Sequence, residues 1–260
     1  MVPAIGVYGA AMAIAVAATL AGSLATAHRL KLSLRKSAIC LAASGLAAWT
    51  GARGWHYLSF WLCGYEVAGG AAHSFAAGGG SLYGGLAAGV AAGGACCRLF
   101  HVSALRLADA CSVPLALGIA ILRLGCWHAG CCFGRPTEVF WAVTPSVGSH
   151  AWVFQVANNP LAAVLGPRPV HPTQLYELGA ALIAAVLAGA ALRSRQTAGV
   201  AAFAALVSLT ALRWIILPMR EYGLDGKFEA TTCWVLYPAV VATGVVALRV
   251  LRRQRPGYPA

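Results

Sequence analysis

The densest group of chemically capable side chains is the string Arg123-Leu-Gly-Cys-Trp-His-Ala-Gly-Cys-Cys-Phe-Gly134. It follows an apolar run at 113–122, so Arg123 stands near the end of an apolar helix. An ionisable group is expensive there and is a functional candidate by default, although a snorkelling interfacial anchor is the plain alternative. A guanidinium stays protonated and its planar fork binds phosphate through two parallel hydrogen bonds. The chemistry it suggests is recognition of an anionic phosphate. Gly125, Gly130 and Gly134 would let the backbone turn sharply or approach a ligand closely. Cys126, Cys131 and Cys132, with His128 among them, offer ligands for zinc or copper, or a disulfide, although no second matching Cys-x-x-Cys pair accompanies them. Two further basic candidates, Arg213 and Arg220, lie seven residues apart, which on one continuous helix is roughly the same face.

The elements that must position these groups are set by composition. Of 260 residues, 60% are hydrophobic and only 10% are charged, against roughly 25% in a soluble domain. This is an all-α, polytopic membrane protein, read as a single transmembrane domain over 1–260. The net charge of +12 then marks loop orientation and contact with anionic headgroups, and no nucleic-acid partner is expected. About seven spans are expected, at about 4–27, 37–62, 80–97, 108–125, 173–192, 198–217 and 231–250, each near the roughly 20 residues a bilayer demands. The second is the weakest, because Arg53, His56 and Tyr57 interrupt it. The first has no Lys or Arg before its apolar run and is read as an uncleaved helix. With the N-terminus outside, twelve of the nineteen basic residues fall on inner loops, which predicts N-out and C-in.

The proline-broken, Trp-bearing segment 126–172 is read as a small outer-side head between spans four and five. Gly85, Gly89 and Gly93 repeat every four residues in the third span, which suits close helix packing. Of nine cysteines, Cys40, Cys96, Cys97 and Cys111 lie in or beside apolar runs, where Cys is a packing residue; a bridge from Cys126 or Cys131 to Cys233 is one alternative.

The string His171-Pro-Thr-Gln-Leu-Tyr-Glu177, opening the fifth span, resembles the prolipoprotein diacylglyceryl transferase family. The central motif agrees. That family carries Gly-Arg-x-Gly-Asn-Phe-x-Asn-Gly-Glu-x-x-Gly, and Arg123, Gly125, Gly130 and Gly134 stand at the same spacing. Asp109, fourteen residues before Arg123, and the Gly-rich third span with Gly84 and Gly85 fit it too. The resemblance covers most of the chain.

The resemblance implies a multi-pass protein of the cell inner (cytoplasmic) membrane. The implied reaction moves the diacylglyceryl group of phosphatidylglycerol to the cysteine thiol of a prolipoprotein signal peptide and releases glycerol phosphate. The expected partners are phosphatidylglycerol, signal peptides and membrane lipid, and the chemistry requires no cofactor and no metal. The implied catalytic set is Arg123, Arg213, His171 and Tyr83. Gly84, Gly85, Gly125, Gly130, Gly134, Gln174, Tyr176, Glu177 and Arg220 are the implied substrate-binding set. Arg123 and Arg213 would clamp the phosphate in a low-dielectric site where developing charge needs stabilisation. A base must take the thiol proton; His128 or His171 could take it, while Tyr83 could orient the substrate by its hydroxyl. The chain departs from the family at the acid–base positions: Tyr83 replaces the usual His, Cys126 an Asn, Cys131 an acid, Leu217 a Glu and Leu209 a Tyr. These departures leave open a paralogue that uses another acceptor, or a membrane metal or redox protein built on Cys126–Cys132. The bland alternatives are a structural Arg213–Glu177 pair, an interhelical hydrogen bond from Glu177, a helix-start role for His171, space filling by Tyr83 and an interfacial Asp109.

Overall fold

The computed structural model describes residues 2–63, 82–194, 197–221 and 227–253; side chains at 2–5, 56, 59–63, 82, 83 and 227–233 fall outside that description. Tyr83 and Cys233, both singled out above, therefore lie outside the described side chains. The order is α1 (Val2–Arg29), α2 (Leu34–Cys63), α3 (Leu82–Leu99), α4 (Ala104–Ala129), α5 (His150–Asn158), α6 (Ala162–Leu165), α7 (Thr173–Arg193), α8 (Val200–Ile216), a 3₁₀ turn (Leu217–Met219) and α9 (Lys227–Arg253). Pairing among the described residues outside helices is limited to isolated bridges, so the class is all-α as expected. Among the described residues five helices, α1, α4, α7, α8 and α9, are long and apolar enough to cross a membrane. The other two expected spans also fall on helices: α2, which carries Arg53 and His56, and α3, the shorter one.

The chain divides into two compact units, Leu24–Leu107 and a second made of Met1–Ser23 with Ala108–Ala260. In the first, α2 and α3 run antiparallel at backbone contact. A Cβ on Gly85 would stand 3.0 Å from the Ala48 carbonyl, and one on Gly84 would collide with the Gly51 carbonyl and Trp55. The Ser44 hydroxyl donates to the Gly89 carbonyl at 2.8 Å. The four-residue glycine period is thus a packing seam, in which small residues let backbones approach. Cys40, Cys97 and Leu107 form a buried apolar cluster in this unit, so Cys40 and Cys97 act as packing residues.

In the second unit α1 packs antiparallel on α4. Gly22 faces Pro114, Gly118 faces Thr19, and Gly125 faces Ala11 and Tyr8. Pro114 sits inside α4, and its carbonyl accepts from the Thr19 hydroxyl at 3.3 Å. Ala116 of α4 and Ala184 and Ala185 of α7 form a buried alanine seam, with Val113 and Leu209 against it.

The buried Asp109 carboxylate accepts from the Gly199 and Ala202 amides at 2.7 and 2.8 Å. It therefore caps the N-terminus of α8 from another helix, satisfying amides that have no partner within α8 and favouring its dipole. Asp109 thus stands at the N-terminus of α8 and not of the helix that carries it.

The segment after α4 is the head. Ser149 caps α5 by accepting from the Trp152 amide. Gln155 clamps Arg168 in both directions, donating to its carbonyl at 3.0 Å and accepting from its amide at 2.7 Å. Bridges join Pro136 and Val143 to Val170, which ties the head to the start of α7.

Candidate active site

The site is built around Glu177, on the second turn of α7 and only 4% exposed. Three guanidiniums meet its carboxylate. Arg123 Nε lies 2.7 Å from Oε2, Arg220 Nη1 lies 2.8 Å from Oε1, and Arg213 Nη2 lies 3.4 Å from Oε1. Arg123 Nε and Glu177 Oε2 are close but poorly aligned, so neither has a well-directed hydrogen bond and both are buried. Tyr237, buried on α9, hydrogen-bonds Arg213.

Four segments deliver these charges. Arg123 comes from the last two turns of α4, and Arg213 from the last turn of α8. Arg220 does not continue the helical face of Arg213, as the seven-residue spacing suggested. Pro218 cannot continue the α8 hydrogen-bond ladder; the chain passes through the 3₁₀ turn and Arg220 becomes extended. It then pairs with Gly134, and this bridge brings its side chain to Glu177.

The motif loop 130–135 is held at every turn. Gly130 closes α4 with φ +67°, a left-handed conformation that a side chain would strain. Gly134 donates its amide to the His171 carbonyl at 3.1 Å, while Arg135 donates to Met219 at 2.8 Å and Glu221 to Phe133 at 3.2 Å. A Cβ on Gly134 would meet the His171 carbonyl at 2.5 Å and that of Met219 at 2.7 Å, so only glycine fits between these two backbones.

Each polar member of the heptapeptide has a partner. Thr173 Oγ1 donates to the Cys132 carbonyl at 2.7 Å and Gln174 Nε2 to that of Cys131 at 2.8 Å. Tyr176 accepts at its hydroxyl from Trp141 Nε1 at 2.5 Å and lies 3.3 Å from His171 Nδ1. Glu177 holds the arginines. His128 lies elsewhere, on the exposed end of α4 with Nδ1 3.1 Å from the Leu124 carbonyl.

Arg123, Arg213, Arg220, Glu177, Gln174, Tyr176, His171, Gly130 and Gly134 thus belong to one connected set. Gly125 faces α1, and Gly84 and Gly85 serve the α2–α3 seam in the other unit. Sequence reasoning missed Tyr237, which carries no motif, and gave Thr173 no role of its own.

The three motif cysteines are free, with their sulfurs all within 4.8 Å of one another. Hydrogen bonds from Cys126 and Cys131, then the positive charge of Arg220 and Arg123, hold the Cys132 thiol well below the usual thiol range. The same hydrogen bonding, to Cys126 and Cys132, pushes Cys131 up.

The electrostatics decide what such a site can do. Among the described residues three guanidiniums meet one carboxylate, with the Cys132 thiol also held toward its charged form by two of them, so positive charge is in excess in a largely buried setting. Uncompensated buried charge is costly, and an oxyanion bound there would remove the cost. The family model described as prolipoprotein diacylglyceryl transferase matches residues 2–249. The chain belongs to the prolipoprotein diacylglyceryl transferase family. It is also similar to the phosphatidylglycerol--prolipoprotein diacylglyceryl transferase of Bifidobacterium adolescentis, with 29% identity over 187 residues, or 68% of this chain and 53% of that protein. The chain spans about half the length of that curated relative. Membership agrees with the five apolar helices, and the protein is a membrane protein.

Proposed function

We propose that this protein transfers the diacylglyceryl group of phosphatidylglycerol to the cysteine thiol of a lipoprotein signal peptide. In this reading the thiol sulfur attacks the glycerol carbon bound to the phosphate oxygen. A carbon–sulfur bond forms, the carbon–oxygen bond breaks, and glycerol phosphate leaves with the electron pair while the thiol proton passes to a base. The observation that carries the reading is the surplus of positive charge around Glu177. Charge growing on the departing phosphate oxygen would meet fixed donors that need no reorganisation. Arg123 and Arg213 would clamp the phosphate and Arg220 would extend the clamp. Glu177 would hold the three guanidiniums in place, and Gln174, Tyr176 and the Gly130–Gly134 loop would fix the wall they stand on. His171, at the hinge of head and α7, is the base this reading favours, because its ring already sits in a hydrogen-bond pair with Tyr176.

The working arrangement we propose is a single transmembrane domain of seven spans in the cell inner membrane, N-out and C-in, with the head at the outer headgroup level. The apolar edge of α6, where Val164 is 85% and Leu165 79% exposed, supports contact of the head with lipid.

The test is reconstitution in phosphatidylglycerol vesicles with a lipobox peptide, scored as a mass gain on the peptide cysteine. The gain should appear with the wild-type chain, vanish with Arg123→Ala, and be absent from phosphatidylcholine vesicles. Complementation of a cell depleted of its own diacylglyceryl transferase should follow. Consumption of phosphatidylglycerol without peptide modification would move the assignment to a different acceptor.

A further inference from the structure

The three-thiol cluster plays no part in the lipid transfer proposed above, yet it is a built feature. Cys126 leaves α4 one turn before its end, and Cys131 and Cys132 follow the Gly130 cap. Cys132 itself has φ +58°, a left-handed conformation that costs a non-glycine residue of order 1 kcal/mol or more. Its carbonyl and that of Cys131 are fixed by Thr173 and Gln174, which are 0% and 5% exposed. The loop is thereby locked with its three sulfurs facing one another inside 4.8 Å. Three sulfurs around one ion at metal–sulfur distances of roughly 2.3 Å stand about 4 Å apart, which this spacing admits.

We propose that Cys126, Cys131 and Cys132 form a trigonal thiolate site for one soft, monovalent metal ion of the cuprous class. Soft thiolate ligands select such ions. Structural zinc asks for a fourth protein ligand, and among the described residues no other His, Cys, Asp or Glu joins this group. A guanidinium beside the sulfurs would favour their thiolate forms. Arg123 already reaches the cluster, with Nη1 donating to Cys126 Sγ at 3.9 Å. The binding follows from the thiols and the neighbouring guanidiniums and does not depend on the lipid transfer reading.

The experiment uses the full chain, purified in detergent, reduced and free of oxygen, and titrated with cuprous ion against a chromophoric cuprous chelator. The wild-type chain should take one equivalent from the chelator, with a sulfur-to-copper charge-transfer band and three sulfur neighbours by X-ray absorption. Cys126→Ser/Cys131→Ser/Cys132→Ser should lose that equivalent. Cys40→Ser/Cys97→Ser, altered in the other unit, should keep it. Where the triple variant does not fold, mapping on the wild-type chain replaces it: bound cuprous ion should protect all three cysteines from maleimide, and chelator should restore labelling. Equal copper uptake by the triple variant, labelling of the three cysteines unaffected by copper, or zinc displacing cuprous ion from the site would overturn the proposal.

Discussion

Replacing Glu177 with Gln keeps the shape of the side chain and removes a negative charge that three guanidiniums share. At separations of 2.7, 2.8 and 3.4 Å and an effective dielectric of about 20, each contact is worth about 5–6 kcal/mol gross. Mutual repulsion of the arginines and the desolvation of Glu177, which is 4% exposed, offset most of this. The measured cost of stranding a buried charge by removing its partner is roughly 3–5 kcal/mol. For a chain of this length about 2–4 °C is lost per kcal/mol, so Glu177→Gln should melt roughly 10 °C below wild type. The assay is intrinsic tryptophan fluorescence during a thermal ramp in detergent, with and without glycerol phosphate. The variant has one more uncompensated positive charge, so the added anion should raise its melting temperature more than that of wild type. A variant melting within about 2 °C of wild type, with no extra response to the anion, would refute both the charge surplus and the anion-binding role drawn from it.

Arg213→Lys should keep the fold but lower transfer roughly 100-fold, because an ammonium cannot reproduce the guanidinium fork; kcat and KM on phosphatidylglycerol vesicles check it. Asp109→Asn replaces one of two acceptors facing the Gly199 and Ala202 amides with a donor. It should destabilise by about 1–3 kcal/mol in thermal melts while the folded fraction keeps its specific activity. Gly134→Ala inserts a methyl 2.5 Å from the His171 carbonyl and must part the two bridged backbones. A loss of about 1–3 kcal/mol is expected, with transfer falling further than stability because Arg220 is displaced from Glu177.

The helices were legible in the sequence because bilayer thickness sets the length of an apolar run, and that is a local property. The heptapeptide was legible for the same reason: its residues are contiguous, and all but two of its seven side chains have work to do within reach of one helix start. The roles of the glycines were not. Gly125 and Gly130 read alike, yet one faces Ala11 of α1 and the other closes α4 with a positive φ. Spacing alone put Arg213 and Arg220 on one helical face, because periodicity assumes an unbroken helix; Pro218 ends α8 and a backbone bridge carries Arg220 to the same carboxylate by another path. Only the tertiary structure could decide that Glu177 is shared by arginines from three other segments, since charges so far apart in the chain leave no periodic trace. Membrane helices and a family signature are written locally, whereas the charge balance of the site exists only once those segments converge.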